Sequence, residues 1–126
     1  GPGGGNDVPV VRYSDILLSL SEALNEIDGP NQESVDLINE VRNRAGASSL
    51  NLSSFPTKED FRDKIMLERE LEFYAEALSR EDQIRAGTFI QKAVDRGKIA
   101  DTHNVLFPIP LAEINRNPNL IQNTGY

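Results

Sequence analysis

Apolar residues in the first half of the chain recur at helical spacing, with polar positions between them. From Ser14 to Ile27, the side chains of Ile16, Leu17, Leu20, Ala23, Leu24 and Ile27 fall on one helical face. Ser14 is placed to cap the free N–H groups, Asp15 suits the positive end of the helix dipole, and Gly29 ends the helix. Beyond the short Asp28-Gly29-Pro30-Asn31 turn, Val35, Ile38, Val41 and Ala45 predict a second helix, with Gly46 as its left-handed cap. So short a connection makes the pair an antiparallel hairpin.

Residues 47–56 are rich in Ser and Asn and read as a loop that returns Leu50, Leu52 and Phe55 to the hairpin. Thr57 and Asp60 have capping-box spacing and open a third helix that runs to about Leu78. Its apolar residues Phe61, Ile65, Leu67, Leu71, Phe73, Tyr74 and Leu78 cover more than one stripe, which predicts a central element. Ser79 and Asp82 repeat the capping spacing, predicting a break and a short fourth helix that ends at Gly87. Phe89, Ile90, Ala93 and Val94 extend a weak helical pattern, and Arg96 to Asn104 reads as an exposed loop.

No strand pattern is present, so the fold class is all-α. Successive hairpins predict a tetratricopeptide-like arrangement. The prolines and asparagines from Asn104 to Tyr126 exclude a long helix, yet Phe107, Ile109, Ile114, Leu120 and Ile121 keep this stretch apolar. It reads as an extended, loop-rich tail tied to the helices, with one helical turn at Leu111–Asn115 and the Tyr126 ring as anchor.

With 126 residues the chain has room for one domain and one modest core. A net charge of −7, with 13 basic residues scattered among 20 acidic ones, excludes a nucleic-acid surface. The absence of cysteine removes disulfides, thiolate metal sites and thiol nucleophiles. No apolar run approaches the roughly 20 residues that span a bilayer. Gly1 to Gly5 read as a cleavage scar and linker, which leaves residues 6–126 as the helical domain of a longer parent.

Glu68, Glu72 and Glu76 stand at four-residue spacing on the third helix. Such a row fits the acid and base of a glycosidase or a metal site in a helical bundle. Bundle metal sites, however, use a Glu-x-x-His pattern, and the one histidine, His103, lies in a loop. The row therefore reads as an ion-pair network, with Arg42, Arg44, Arg80 and Arg85 as its cations. His103 and Ser79 belong to no catalytic triad, and Gly3-Gly4-Gly5 is no phosphate loop. Tyr13 and Tyr74 are placed for core packing, not for stacking on a sugar. No catalytic, cofactor or metal residue is assigned.

Five segments in order carry a resemblance. Arg12-Tyr13-Ser14-Asp15-Ile16-Leu17-Leu18 is similar to "RYAEVLL", and Ile38-Asn39-Glu40-Val41-Arg42-Asn43-Arg44-Ala45-Gly46 to "INxVRxRAG". Glu68-Arg69-Glu70-Leu71-Glu72 is similar to "ERRxEL", and Arg80-Glu81-Asp82-Gln83-Ile84-Arg85-Ala86-Gly87 to "RxDLIRxG". In the tail stand Phe107-Pro108-Ile109-Pro110, Glu113-Ile114, Asn117-Pro118-Asn119-Leu120, Gln122-Asn123 and Gly125-Tyr126. Together they resemble the C-terminal part of the SusD/RagB family of bacterial nutrient-binding proteins. Ala77 replaces a common glycine, Gln83 a usual leucine and Thr124 a usual proline.

The resemblance implies a non-enzymatic, lipid-anchored component at the outer-membrane cell surface. Such a component captures oligosaccharides or polysaccharides with a SusC-like TonB-dependent transporter and needs no cofactor. This chain would be its C-terminal helical scaffold, with membrane contact only through an anchor absent here and the glycan-binding residues unknown. The alternative is a helical-repeat interaction module without glycan binding, and a third reading is an acid–base hydrolase. A truncated helical array exposes an apolar face, so dimerisation through the first hairpin is expected.

Overall fold

A computed structural model describes residues 10–126, so the expectation for residues 1–5 lies outside the described residues. The described residues form helices joined by turns and contain no strand. They divide into two compact units, one ending at Glu76 and the other running from Ala77 to Tyr126.

The first unit contains α1 (Tyr13–Asp28), α2 (Gln32–Arg44) and α3 (Lys58–Glu72). Gly29, at φ 80°, ends α1 as expected, and Asn31 caps α2 by accepting from the Ser34 amide at 2.9 Å. Thr57 caps α3 by accepting from the Asp60 amide, and the Asp60 carboxylate accepts from the Thr57 amide in return. The predicted hairpin forms. Ser21 of α1 donates to the Ser34 carbonyl near the start of α2, and Ser14 and Leu17 line one cleft with Val41 and Arg44 near its end. α3 also runs antiparallel to α1, since Arg62 pairs with Glu26 and Arg69 with Asp15.

The core of this unit is Leu17, Leu18, Val35, Ile38, Val41, Phe61, Ile65 and Phe73. Several expectations are corrected here. α1 buries Ser14, Leu17, Leu18, Ser21 and Asn25, while Ile16, Leu20, Ala23 and Ile27 of the predicted inner stripe face solvent. The small polar residues let α1 approach closely and bond to both neighbours: Ser21 Oγ to the Ser34 carbonyl at 2.7 Å and Asn25 Nδ2 to the Lys58 carbonyl at 3.0 Å. Ser14 is not the cap, because the helix begins one residue earlier and Arg12 occupies the cap position without a side-chain bond. α1, not α3, is the helix packed against both others. α3 buries one face only, leaving Leu67, Leu71 and the following Tyr74 exposed. Ala45, the residue that caps the end of α2, is exposed as well.

α3 ends at Glu72, short of the expected Leu78. Ala75 and Ala77 take left-handed backbone angles, φ 64° and 65°, which break the helix before α4 (Leu78–Arg85). Ser79 is therefore inside α4, where its hydroxyl accepts from Gln83 Nε2 at 2.9 Å. A left-handed alanine costs roughly 1–2 kcal/mol, and glycine returns part of the gain by loosening the unfolded chain. Ala77→Gly is expected to raise stability by about 0.5–1 kcal/mol. A urea midpoint that stays the same or falls would contradict the strain at this turn.

The second unit contains α4, α5 (Phe89–Asp95) and α6 (Leu111–Arg116), with a 3-10 turn at Thr102–Val105. Gly87, at φ 70°, ends α4 as expected, and the Thr88 amide returns to the Gln83 carbonyl at 2.9 Å. The buried side chains here are Asp82, Gln83 and Ala93.

Candidate functional site

The acidic row is the strongest candidate for chemistry. Glu68 and Glu72 project from the end of α3, and the turn that follows carries Glu76. Arg42 of α2 and Lys64 of α3 both pair with Glu68, the latter at 2.6 Å. Arg44 places one nitrogen 2.6 Å from each oxygen of Glu72. These pairs bear out the expected ion-pair network for Arg42 and Arg44.

Its centre is Arg12, which the sequence reading did not include. The guanidinium donates from Nε and Nη2 to the two oxygens of Glu76 at 2.9 and 2.8 Å. Nη1 reaches Glu72 Oε1 at 2.7 Å and Ser14 Oγ at 3.0 Å, and Nη2 also reaches the Glu72 carbonyl at 2.9 Å. All five N–H groups are thereby used. One face of the guanidinium lies 5.0 Å from the centre of the buried Phe73 ring, and Arg69 lies 5.2 Å from the same ring.

Hydrogen bonds that the guanidinium donates to Glu76 and Glu72 hold the Arg12 pKa well above the ordinary arginine value. For Glu72, burial alone would push the carboxyl up. Hydrogen bonds from Arg12 and Ser14 and the charge of Arg44 outweigh that penalty and leave it below the usual carboxylate range. Neither residue is poised to donate or accept a proton near neutral pH. A general acid needs a raised carboxyl pKa, and Glu72 is moved the other way.

Beside this network a cleft of about 400 Å³ opens between the start of α1 and the end of α2. Arg12, Arg44 and Glu40 stand on its wall with Tyr13, Leu17 and Val41. Arg12 and Arg44 face it with their carboxylates already in place. Tyr13 and Tyr74 are exposed, at 68% and 85%, which corrects their expected place in the core. Tyr13 has helical spacing but lies on the outer side of α1, and Tyr74 follows the end of α3.

In the second unit, Arg80 and Arg85 have partners of their own. Arg85 pairs with Asp82 at 2.9 Å. Arg80 inserts its guanidinium between the rings of Phe89 and Phe107, 4.9 and 4.2 Å from their centres, and donates to the carbonyls of Asn104 and Val105. The tail closes on the same stretch. The Gln122 amide accepts from the Ile109 N–H at 2.8 Å and donates to the Ile109 carbonyl at 2.9 Å, as a neighbouring strand would. Asn123 donates to the Phe107 carbonyl and Tyr126 Oη to the Leu106 carbonyl, both at 2.7 Å. His103 packs edge-on against the Tyr126 ring at 4.8 Å, so it is a packing residue and not simply a solvated one.

The family model that matches this chain is that of the SusD family, over residues 2–126. The chain belongs to the SusD family. It is 33% identical over 132 residues to the SusD-like protein P2 of Formosa agariphila, covering 96% of this chain and 26% of that protein. It is 30% identical over 129 residues to the starch-binding protein SusD of Bacteroides thetaiotaomicron, covering 95% and 22%. The SusD-like protein P38 of Formosa agariphila is 27% identical over 126 residues, covering 95% and 25%. The chain thus spans about a quarter of the length of the curated relatives it matches. No solved structure matches it.

In this SusD-family chain the polar residues of the recognised segments bond to one another. Arg12 of the first segment and Arg42 and Arg44 of the second meet Glu68 and Glu72 of the third. Arg80 of the fourth holds the start of the tail, and the end of the tail bonds to its beginning.

Proposed function

We propose that this chain is the helical scaffold portion of a glycan-capture protein, which binds and delivers oligosaccharides without hydrolysing them. The family match over residues 2–126 carries this reading. One relative is itself named for binding starch. The arrangement of the matched residues supports a scaffold role, because their charged and amide groups are engaged with one another. Glycan recognition then belongs to the part of the parent outside the matched quarter, and the partner in uptake is a SusC-like TonB-dependent transporter of the outer membrane. No described helix is long and apolar enough to cross a membrane, so attachment there would come from the parent's lipid anchor.

Isothermal titration of the full-length parent with a panel of soluble oligosaccharides tests the proposal. Binding of at least one glycan is expected, with no product released from chromogenic glycosides. A parent that binds none of them while retaining a protein partner would favour the interaction module instead. The exposed apolar side of α1 is the observation that favours that second reading.

A further inference from the structure

From Thr57 to Ala86 the chain has no glycine or proline, and Glu70 to Leu78 consists of Glu, Leu, Ala, Phe and Tyr. Glu, Leu and Ala are strong helix formers, and no residue from Glu72 to Leu78 is a helix breaker. Yet α3 stops at Glu72. Phe73 does not cause the stop, since its amide still makes the helical bond to the Arg69 carbonyl at 3.0 Å. The break comes at Ala75 and Ala77, in left-handed angles that residues other than glycine rarely adopt.

Arg12 supplies the stop that the local sequence lacks. In a continuing α-helix the Glu76 amide would donate to the Glu72 carbonyl, four residues back. That carbonyl already accepts from Arg12 Nη2 at 2.9 Å, and the Glu76 amide bonds instead to the Phe73 carbonyl at 3.0 Å. The Glu76 carboxylate is drawn to the same guanidinium, accepting from Nε at 2.9 Å and from Nη2 at 2.8 Å. One side chain therefore occupies the acceptor that the next turn needs and fixes the residue between the two left-handed alanines. Among the described residues, the amides of Ala75 and Ala77 have no partner.

We propose that Arg12 is a removable helix stop and that residues 73–77 have two states: the broken turn while Arg12 is seated, and a further turn of α3 once it is withdrawn. Arg12 stands directly before α1, so the entry to the first helix controls the end of the third. A glycine or proline stop is permanent, whereas this one rests on a single side chain that is 25% exposed. Withdrawal frees the Glu72 carbonyl, lets both alanines relax to right-handed angles and adds helical bonds from the amides of Ala75, Glu76 and Ala77.

Amide hydrogen exchange on the full chain tests the two states. Arg12→Ala is expected to slow exchange at Ala75 and Ala77 at least about tenfold, which corresponds to roughly nine-tenths of molecules in the longer-helix state. A nuclear Overhauser contact from Phe73 Hα to the Ala77 amide should appear with it. Adding Ala75→Gly and Ala77→Gly to that variant should restore fast exchange, because glycine takes left-handed angles readily and disfavours the helix. Glu76→Ala repeats the test with Arg12 still paired to Glu72, and a slowing of about threefold is expected. If Arg12→Ala loses protection throughout α1 to α3, Glu76→Ala alone decides. Unchanged or faster exchange at both alanines, with the amides of α1 to α3 still protected, would overturn the proposal. Slowing that survives the two glycines would also overturn it, by placing the cause elsewhere.

Discussion

Replacing Arg12 by alanine is expected to destabilise the first unit by about 2–3 kcal/mol, less than the full cost of breaking a buried ion pair because the Arg12 side chain is 25% exposed. The Glu72 side chain is only 9% exposed and would keep Arg44 as its sole cation. Arg44 is itself 60% exposed and therefore a weaker substitute. Loss of the guanidinium also uncovers Phe73 and releases Glu76 from the turn after α3. Since small domains have 5–15 kcal/mol in all, this one change removes a large share of the stability. Arg12→Lys should recover little, because an ammonium cannot grip two carboxylates and a carbonyl in one plane. Urea unfolding followed by circular dichroism measures the loss. A change below about 1 kcal/mol would show that Arg12 acts as an ordinary surface pair.

The same network sets an acid limit. The Glu72 pKa is lower in the folded chain than its ordinary value of 4.5. Its contribution is therefore complete above about pH 4.5 and is lost as pH falls through the folded value. Arg12→Ala should flatten that acid limb as well as lower the plateau.

Gly125→Ala is expected to free the end of the tail. Gly125 has φ 101°, and a Cβ there would lie 2.6 Å from both Cβ and Cγ of His103. Backbone strain alone costs about 1–3 kcal/mol, and the contact with His103 adds to it because Cβ is fixed to the backbone. The expected response is local opening, with loss of the His103–Tyr126 packing and of the Tyr126 bond to the Leu106 carbonyl. Hydrogen exchange at the Ile109 amide, held by Gln122, should accelerate about 10- to 100-fold, as 1.4 kcal/mol corresponds to tenfold. Unchanged protection at Ile109 would contradict the latch.

The helix hairpin, the caps at Thr57 and Asp60, and the glycine stops at Gly29, Gly46 and Gly87 were legible because each is a local event. The buried side of α1 was not. Hydropathy marks Ile16, Leu20 and Ile27 as core, whereas two hydrogen-bonding side chains, Ser21 and Asn25, let the helix turn its other side inward. Arg42 and Arg44 were traceable as partners of the acidic row by charge alone. Arg12 escaped because its partner Glu72 lies 60 residues away and no helical spacing links them. Lys64 could have been found, since it stands four residues before Glu68. Arg80 was offered to the acidic row by charge alone, and a charge count does not reveal that two phenylalanines will lie beside its guanidinium. The early end of α3 depended on left-handed alanines, which sequence preferences disfavour.

The central claim is that this part of the molecule holds helices and tail in place while recognition lies in the rest of the parent. Titrating the 126-residue chain and the full-length parent side by side with one soluble oligosaccharide that the parent binds addresses it most directly. The account predicts binding heat from the parent and none from the chain alone. Equal affinity in both, abolished by Tyr13→Ala or Tyr74→Ala without loss of helix content, would contradict it.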